Sequence, residues 1–260
     1  MTTMYDDVGI YERTFDWDGL PEYLRQAQWA EFTKLKEVID QLAKNKGAKI
    51  SILDIGVGDG RLLKHLVPIE EIWSKVETYH AIDNTQQCTG ATNSLLDKIG
   101  NPSNITVQLI DAENIDSTSK KYDLIITTWF TTGNFYPKDF PFETYNESNE
   151  KVNLDTNIRF STIFENAYKA LLTNGVLLFG SMYKENDETR KKQESFYKYF
   201  GMDVITQADE VFTATKQGFW SQRFSKERLE KYLESIPKNN FEYVDLDTYD
   251  FAMMVKITKT

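Results

Sequence analysis

Cysteine and histidine are almost missing from this chain of 260 residues. A single cysteine, Cys88, excludes a disulfide within the chain and any cysteine-rich metal site, and it fits a reducing compartment. Two histidines, His65 and His80, are too few for a histidine-based zinc site. No apolar run approaches the roughly 20 residues that a spanning helix needs, so no membrane segment is expected. Residues 1–7 carry acids and no basic stretch, so no signal peptide is expected and the cytoplasm is the expected location. Basic runs are short as well, none longer than residues 190–192, and 40 acids against 30 bases leave a formal charge of −10. That average field repels a phosphate backbone and argues against nucleic acid as a partner. Repeats and low-complexity tracts are lacking, which excludes a solenoid.

What is present describes a globular α/β chain. Hydrophobic residues make up 40% and charged residues 27%, enough to bury a core and too much apolar content for wholesale disorder. Leu24, Ala27, Trp29, Phe32, Leu35, Val38, Ile39 and Leu42 recur at helical spacing, which predicts a helix over residues 21–45. Pro21 suits its first turn and Gly47 its end. Strands are then expected at 49–55, 78–82, 105–110, 122–127 and 176–180. Helices are expected from 61, at 85–99 and at 156–172. That alternation predicts a doubly wound, Rossmann-like parallel sheet with helices on both faces. Further on, a charged helix is expected over 185–200, a hairpin over 211–224, a helix capped by Ser225 and running to about Ile236, and a terminal hairpin over 242–257.

The most informative stretch is Ile52-Leu53-Asp54-Ile55-Gly56-Val57-Gly58-Asp59-Gly60-Arg61-Leu62. A buried strand runs into a glycine turn that opens a helix, and such glycines let a backbone approach a ligand closely. The spacing is Gly-x-Gly-x-Gly, and the loop carries carboxylates at Asp54 and Asp59. A dinucleotide would set its pyrophosphate against those acids. S-adenosylmethionine offers an ammonium and a sulfonium instead, and Asp54 can accept from the ammonium directly or through water. The second strand ends in Ile82-Asp83-Asn84, where the Asp83 carboxylate can take both hydroxyls of a ribose. The third ends in Ile110-Asp111-Ala112, where Asp111 can accept from an adenine amino group with Ala112 beside the ring. A lone acid after a strand is usually a turn residue; three acids at three successive strand ends are less often accidental.

On these motifs residues 49–180 and the terminal hairpin resemble the class I S-adenosylmethionine-dependent methyltransferases. The resemblance implies a seven-stranded sheet with an antiparallel last strand, and S-adenosyl-L-methionine over the ends of strands one to four. It implies cofactor contacts from Asp54, Gly56, Gly58, Asp83, Asn84, Asp111, Ala112 and Thr127. It also suggests an N-terminal lid, with Tyr11 touching the methionine end. The expected organisation is a lid segment and helix over 1–46, followed by a methyltransferase domain over 47–260. Substrate-covering insertions are expected near 137–155 and 185–224.

The resemblance does not give the acceptor, and the residues after strand four narrow it. The run Thr127-Thr128-Trp129-Phe130-Thr131-Thr132-Gly133-Asn134-Phe135-Tyr136 has no Asn/Asp-Pro-Pro signature of DNA amino-methylation. It has neither the acids that hold magnesium in catechol-type enzymes nor the glutamate pair of arginine methylation, so no metal is expected. No histidine is placed as a base for O-methylation. An amine with a free lone pair needs mainly alignment and desolvation, and aromatic faces stabilise a methylated ammonium. Trp129, Phe130, Phe135, Tyr136, Tyr183, Phe219 and Trp220 come from segments expected near the ligand edge of the sheet. The expected function is therefore methyl transfer to a small molecule, at an amine nitrogen in preference to oxygen. Asn134 would orient the acceptor, and Trp129 would wall it. Transfer to oxygen through an unrecognised base, and a cofactor-binding protein without catalysis, are the alternatives.

Overall fold

The computed structural model describes residues 19–115, 120–145, 152–207 and 209–260. The lid position Tyr11 lies outside them.

A long helix, α1 (Glu22–Lys46), follows Pro21 and stops at Gly47, whose φ of 66° is the left-handed conformation that ends helices. The chain then winds β1 (Ile50–Ile55), α2 (Arg61–Leu66), a short α3 (Glu70–Trp73), β2 (Val76–Asp83), α4 (Gln86–Lys98), β3 (Ile105–Leu109) and β4 (Tyr122–Thr127). After it come α5 (Ile158–Ala170), β5 (Leu171–Tyr183), α6 (Asp187–Tyr199), the hairpin β6 (Phe212–Ala214) and β7 (Trp220–Gln222), α7 (Lys226–Tyr232), β8 (Phe241–Asp245) and β9 (Ala252–Thr258). The seven-stranded sheet runs β3-β2-β1-β4-β5-β9-β8, with β6 and β7 apart as a two-stranded pair. Strands β1 to β5 are parallel, and β9 is antiparallel to both β5 and β8. β1 and β4 are neighbours while their connections run to opposite sides. Their carboxyl ends therefore open the crevice where doubly wound sheets bind ligands.

Every residue of β4, and all of β1 but Ser51, is buried, as expected of central strands covered on both faces. One apolar cluster joins α1, α2 and one sheet face through Leu24, Leu35, Ile39, Ile52 and Leu124. A second joins α5, α7 and the other face through Phe160, Phe164, Leu53, Ile125 and Phe179. A third packs the two insertions on each other, with Phe140, Tyr145 and Leu154 against Phe212 and Trp220. Trp220 stacks on Phe212 at 3.9 Å. Arg223, 2% exposed, ties this hairpin to α6, donating to Gln193, to Thr213 Oγ1 at 2.8 Å and to the Phe212 carbonyl at 3.1 Å. Burial lowers its pKa to about 10, against the opposing influence of Tyr197, Glu194 and Glu185.

Two expected boundaries move. The helix expected to reach residue 172 stops at Ala170, and β5 begins at once at Leu171. Leu171 pairs with Tyr122, and the register shifts before Val176 meets Leu124. Asn174 and Gly175 thus lie in an irregular stretch within a strand instead of at a helix end. The helix capped by Ser225, which accepts from Arg228 N at 3.2 Å, ends at Tyr232.

Candidate active site

The glycine loop is shaped by three close approaches. Gly56 has φ +77°, and a Cβ there would lie 2.4 Å from the Thr131 side chain, so the loop and the turn after β4 come too close for any other residue. The amides of Gly56 and Val57 donate to Ile82 O at the end of β2, at 2.8 and 3.1 Å. Gly58 N donates to Asp83 Oδ2 at 3.1 Å, and Thr92 Oγ1 holds the Gly58 carbonyl at 2.8 Å. Asp83 also accepts from Thr85 N and Thr85 Oγ1, at 3.0 and 2.9 Å, so one carboxylate braces the loop and the start of α4. Burial raises its pKa, against those hydrogen bonds.

A cavity of about 240 Å³ opens over these strand ends. Gly56, Gly58, Asp83, Asn84, Asp111, Ala112, Trp129 and Asn134 all line it, so the structure brings eight sequence-derived positions to one wall. The residues present fit S-adenosylmethionine: a carboxylate at the end of β2 for the ribose, Gly56 and Gly58 on the wall where a cofactor can lie close, and Ala112 on the wall where an adenine would lie. Two expected positions stand back from the wall. Asp54 is 1% exposed, accepts from Tyr79 OH at 2.6 Å and leaves Oδ1 without a partner. Burial raises its pKa to about 7; the Tyr79 bond opposes this, while the charges of Asp83 and Glu31 add to it. Thr127 is fully buried and bonds Thr132 side chain to side chain at 2.5 Å, inside the turn. Asp111 faces the cavity but is engaged: it accepts from Glu113 N at 3.0 Å and pairs with Arg159 at 3.2 Å.

The turn after β4 is strained. Trp129 and Phe130 have φ of 53° and 59°, two successive non-glycine residues in the left-handed region, at a cost of about 1–3 kcal/mol each. Phe130 N donates to Ser181 O at 3.0 Å, and its ring stacks on Tyr183 at 4.0 Å. The Arg61 guanidinium sits 5.2 Å over the Trp129 ring. A 3₁₀ turn, Thr131–Asn134, then carries Asn134 to the cavity, with Oδ1 unpartnered.

All seven aromatic residues that the sequence places near the ligand edge line the cavity: Trp129, Phe130, Phe135, Tyr136, Tyr183, Phe219 and Trp220. Five further rings do so: Trp29 and Phe32 from α1, and Phe196, Tyr197 and Phe200 from α6 and its end. Their helical spacing reads equally well as core packing, so periodicity alone does not single them out. Gln28 and Glu31, also on the wall, break the apolar stripe of α1, which is the one signal that could have found them. His65 faces the cavity beside Trp29 and Phe32, its pKa lowered by burial and by Lys64 and Arg61. His80 lies within β2, bonded to Tyr122 OH at 2.7 Å and to Gln108.

The described residues hold no cluster of three His, Cys, Asp or Glu side chains able to bind an ion. Turnover is expected to survive EDTA; activity lost with the chelator and restored by magnesium would show a metal-assisted reaction.

Comparison with known proteins agrees with this geometry. A methyltransferase-domain profile matches residues 23–245, most of the chain. A search of curated proteins finds no match. The fold is similar to that of the CcbJ methyltransferase from Streptomyces caelestis, at 13% identity and TM-score 0.59, covering 100% of this chain and 99% of that one. It is also similar to magnesium protoporphyrin IX methyltransferase from Synechocystis PCC 6803 with bound S-adenosylhomocysteine, at 12% identity and TM-score 0.56, covering 98% and 96%. A third likeness is to 1,6-didemethyltoxoflavin-N1-methyltransferase from Burkholderia thailandensis, at 12% identity and TM-score 0.53, covering 99% and 87%. With the profile spanning the glycine loop and six of the seven sheet strands, the chain belongs to the methyltransferase-domain family and is a class I S-adenosylmethionine-dependent methyltransferase.

Proposed function

We propose that the protein methylates an amine nitrogen of a small molecule. The observation that carries this reading is the acceptor end of the cavity. Beyond the glycine loop it is walled by rings, and Asn134 stands among them with a buried side-chain oxygen that no donor of the protein meets. An amide oxygen accepts from an amine N–H and cannot serve as a base, so it suits orientation. Rings from α1, the turn after β4, α6 and the β6–β7 hairpin exclude water and face a developing ammonium with their π clouds.

When bound, S-adenosylmethionine supplies a methyl carbon made electrophilic by its sulfonium. The chain does the rest. Asp83 accepts from the ribose hydroxyls, and the Gly56–Gly58 backbone lets the cofactor lie close. Trp129 and Asn134 hold the acceptor in line with the methyl carbon. Asp54, Asp111, Ala112, Asn84 and Thr127 complete the proposed cofactor contacts, with Asp54 and Thr127 acting from behind the wall. The acidic average charge favours a small-molecule acceptor over nucleic acid. No described helix is long and apolar enough to cross a membrane.

The test is methyl transfer to a panel of amines and matched hydroxyls. Wild-type turnover is expected on amines, and turnover confined to hydroxyls would refute the nitrogen assignment. Asn134→Ala is expected to bind S-adenosylhomocysteine normally and to lose about tenfold to a hundredfold in kcat/KM, the size of one orienting bond at roughly 1.4 kcal/mol per decade. Full activity in that variant would leave Asn134 as a turn residue.

A further inference from the structure

Glu31 is a carboxylate where the apolar stripe of α1 calls for a hydrophobic side chain. It is 4% exposed, yet it lines the cavity. Its oxygens accept the Trp129 amide at 3.1 and 3.2 Å, and Oε2 also takes the Ser181 amide. No Lys, Arg or His side chain among the described residues pairs with it. The sheet makes room for it: a Cβ on Gly180 would lie 2.8 Å from Glu31 Cδ and 3.0 Å from Oε1. A buried carboxylate without a cation is costly, and such groups collect at functional sites. This one sits against the strained turn that presents Trp129 and Asn134. Three hydrogen-bond contacts from two amides leave acceptor capacity on the carboxylate, chiefly at Oε1.

We propose that Glu31 is the acceptor-side catalytic carboxylate, receiving the N–H of the acceptor and taking its proton. This rests on the nitrogen reading above. The acceptor's lone pair forms the new N–C bond while the methyl carbon's bond to sulfur breaks, its electron pair staying on sulfur. The positive charge that leaves sulfur appears on nitrogen, facing Glu31. The proton lost from nitrogen goes to the carboxylate and then to water at the cavity mouth. For an alkylamine that arrives protonated, the same carboxylate removes the proton before attack. Burial raises the Glu31 pKa against the Ser181 and Trp129 hydrogen bonds, which makes the carboxylate a stronger proton acceptor than a solvated one.

The other ionisable groups around the cavity are identifiable. Asp59, Arg61 and His65 come from the glycine loop and α2, Asp83 from β2, and Asp111 and Arg159 from the adenine side. Tyr136, Tyr183 and Tyr197 come from the acceptor walls, and Asp54 of β1 stands back from the cavity. Arg61 lies over Trp129, and Arg159 is held by Asp111 and Glu113.

The experiment compares wild type with Glu31→Gln on the amine and hydroxyl panel, with S-adenosylhomocysteine affinity measured by calorimetry. On amines kcat is expected to fall about a hundredfold or more, with KM changing much less and cofactor affinity within about threefold, the scale of a lost general base. Wild-type kcat/KM should show an acid limb above the ordinary glutamate range that the Gln variant lacks. An amine-active Gln variant within threefold of wild type overturns the proposal and leaves the nitrogen reading intact. Wild-type turnover on hydroxyls alone refutes the nitrogen reading, and Glu31 is then judged on those hydroxyls: loss in the Gln variant keeps it as the base, full activity removes it. If the Gln variant does not fold, or no panel compound reacts, carbon-13 NMR of glutamate-labelled wild type decides, with the resonance assigned through Glu31→Asp. Titration above the ordinary glutamate range supports the assignment, and ordinary titration overturns it.

Discussion

Asp83→Ala is expected to weaken S-adenosylhomocysteine binding by about 1–3 kcal/mol, roughly fivefold to 150-fold in the dissociation constant. The carboxylate has two tasks. It faces the cavity where a ribose would lie, and it accepts from Gly58 N, Thr85 N and Thr85 Oγ1. Alanine removes the ribose acceptor and the brace of the glycine loop together. Removing a carboxylate that burial disfavours in its charged form offsets part of the lost bracing. The unliganded melting temperature should therefore change less than the affinity. Calorimetry with S-adenosylhomocysteine, and thermal shift with S-adenosylmethionine and NAD, provide the check. Wild type should be stabilised by the two sulfur compounds and not by NAD, since the glycine loop sets the Asp59 carboxylate where a pyrophosphate would meet it. Unchanged affinity in the variant would remove Asp83 from the site.

The cofactor half of this site was legible because its chemistry is local in sequence. Gly56, Gly58 and the acids at strand ends lie where strands stop, and alternating strands and helices bring strand ends to one edge. The acceptor half is assembled from segments far apart: Gln28 and Glu31 from α1, Trp129 and Asn134 after β4, Phe196 and Phe200 from α6, Phe219 and Trp220 from the hairpin. Aromatic content marked the last part of the chain, but a ring at helical spacing carries no label for the side it faces. Glu31 carries no such mark, because a single acid in a helix normally reads as a solvated position; only tertiary packing shows it under Trp129 and Ser181. Asp54 shows the converse. Its place in the glycine motif was plain, but its burial behind the wall against Tyr79 depends on the register of β1 with β2, where Ile52 pairs with Tyr79. The early end of α5 has a similar cause, since pairing of Leu171 with Tyr122 outweighs the helical pattern.

That placement of Asp54 has a large consequence for stability. In the unfolded chain an aspartate titrates near its ordinary value of about 3.9. In the fold, burial holds Asp54 at about 7, with repulsion from Asp83 and Glu31 adding to the effect. Below both values Asp54 is neutral in either state and costs nothing. Between them the unfolded chain has lost the proton and the folded chain keeps it, so stability falls as pH rises. The fall ends once pH passes the folded pKa, after roughly three units at 1.36 kcal/mol each, or about 4 kcal/mol. Asp54→Asn keeps an acceptor for Tyr79 OH and does not titrate. The variant is therefore expected to gain on wild type steadily from about pH 4 to pH 7 and to hold that gain above. Denaturant unfolding at pH 4, 5.5, 7 and 8 measures it, and a wild-type to variant difference that stays constant with pH would sink the account. Asp83 and Glu31 are raised in the same direction and remain in the variant, so some pH dependence must persist. The cofactor separates stability from function at this residue. An ammonium reaching the unpartnered Oδ1, directly or through water, favours the ionised carboxylate, so wild type should bind S-adenosylhomocysteine more tightly at pH 8 than at pH 5.5. In Asp54→Asn that pH dependence should shrink. Equal pH dependence in both proteins would confine Asp54 to the interior of the fold.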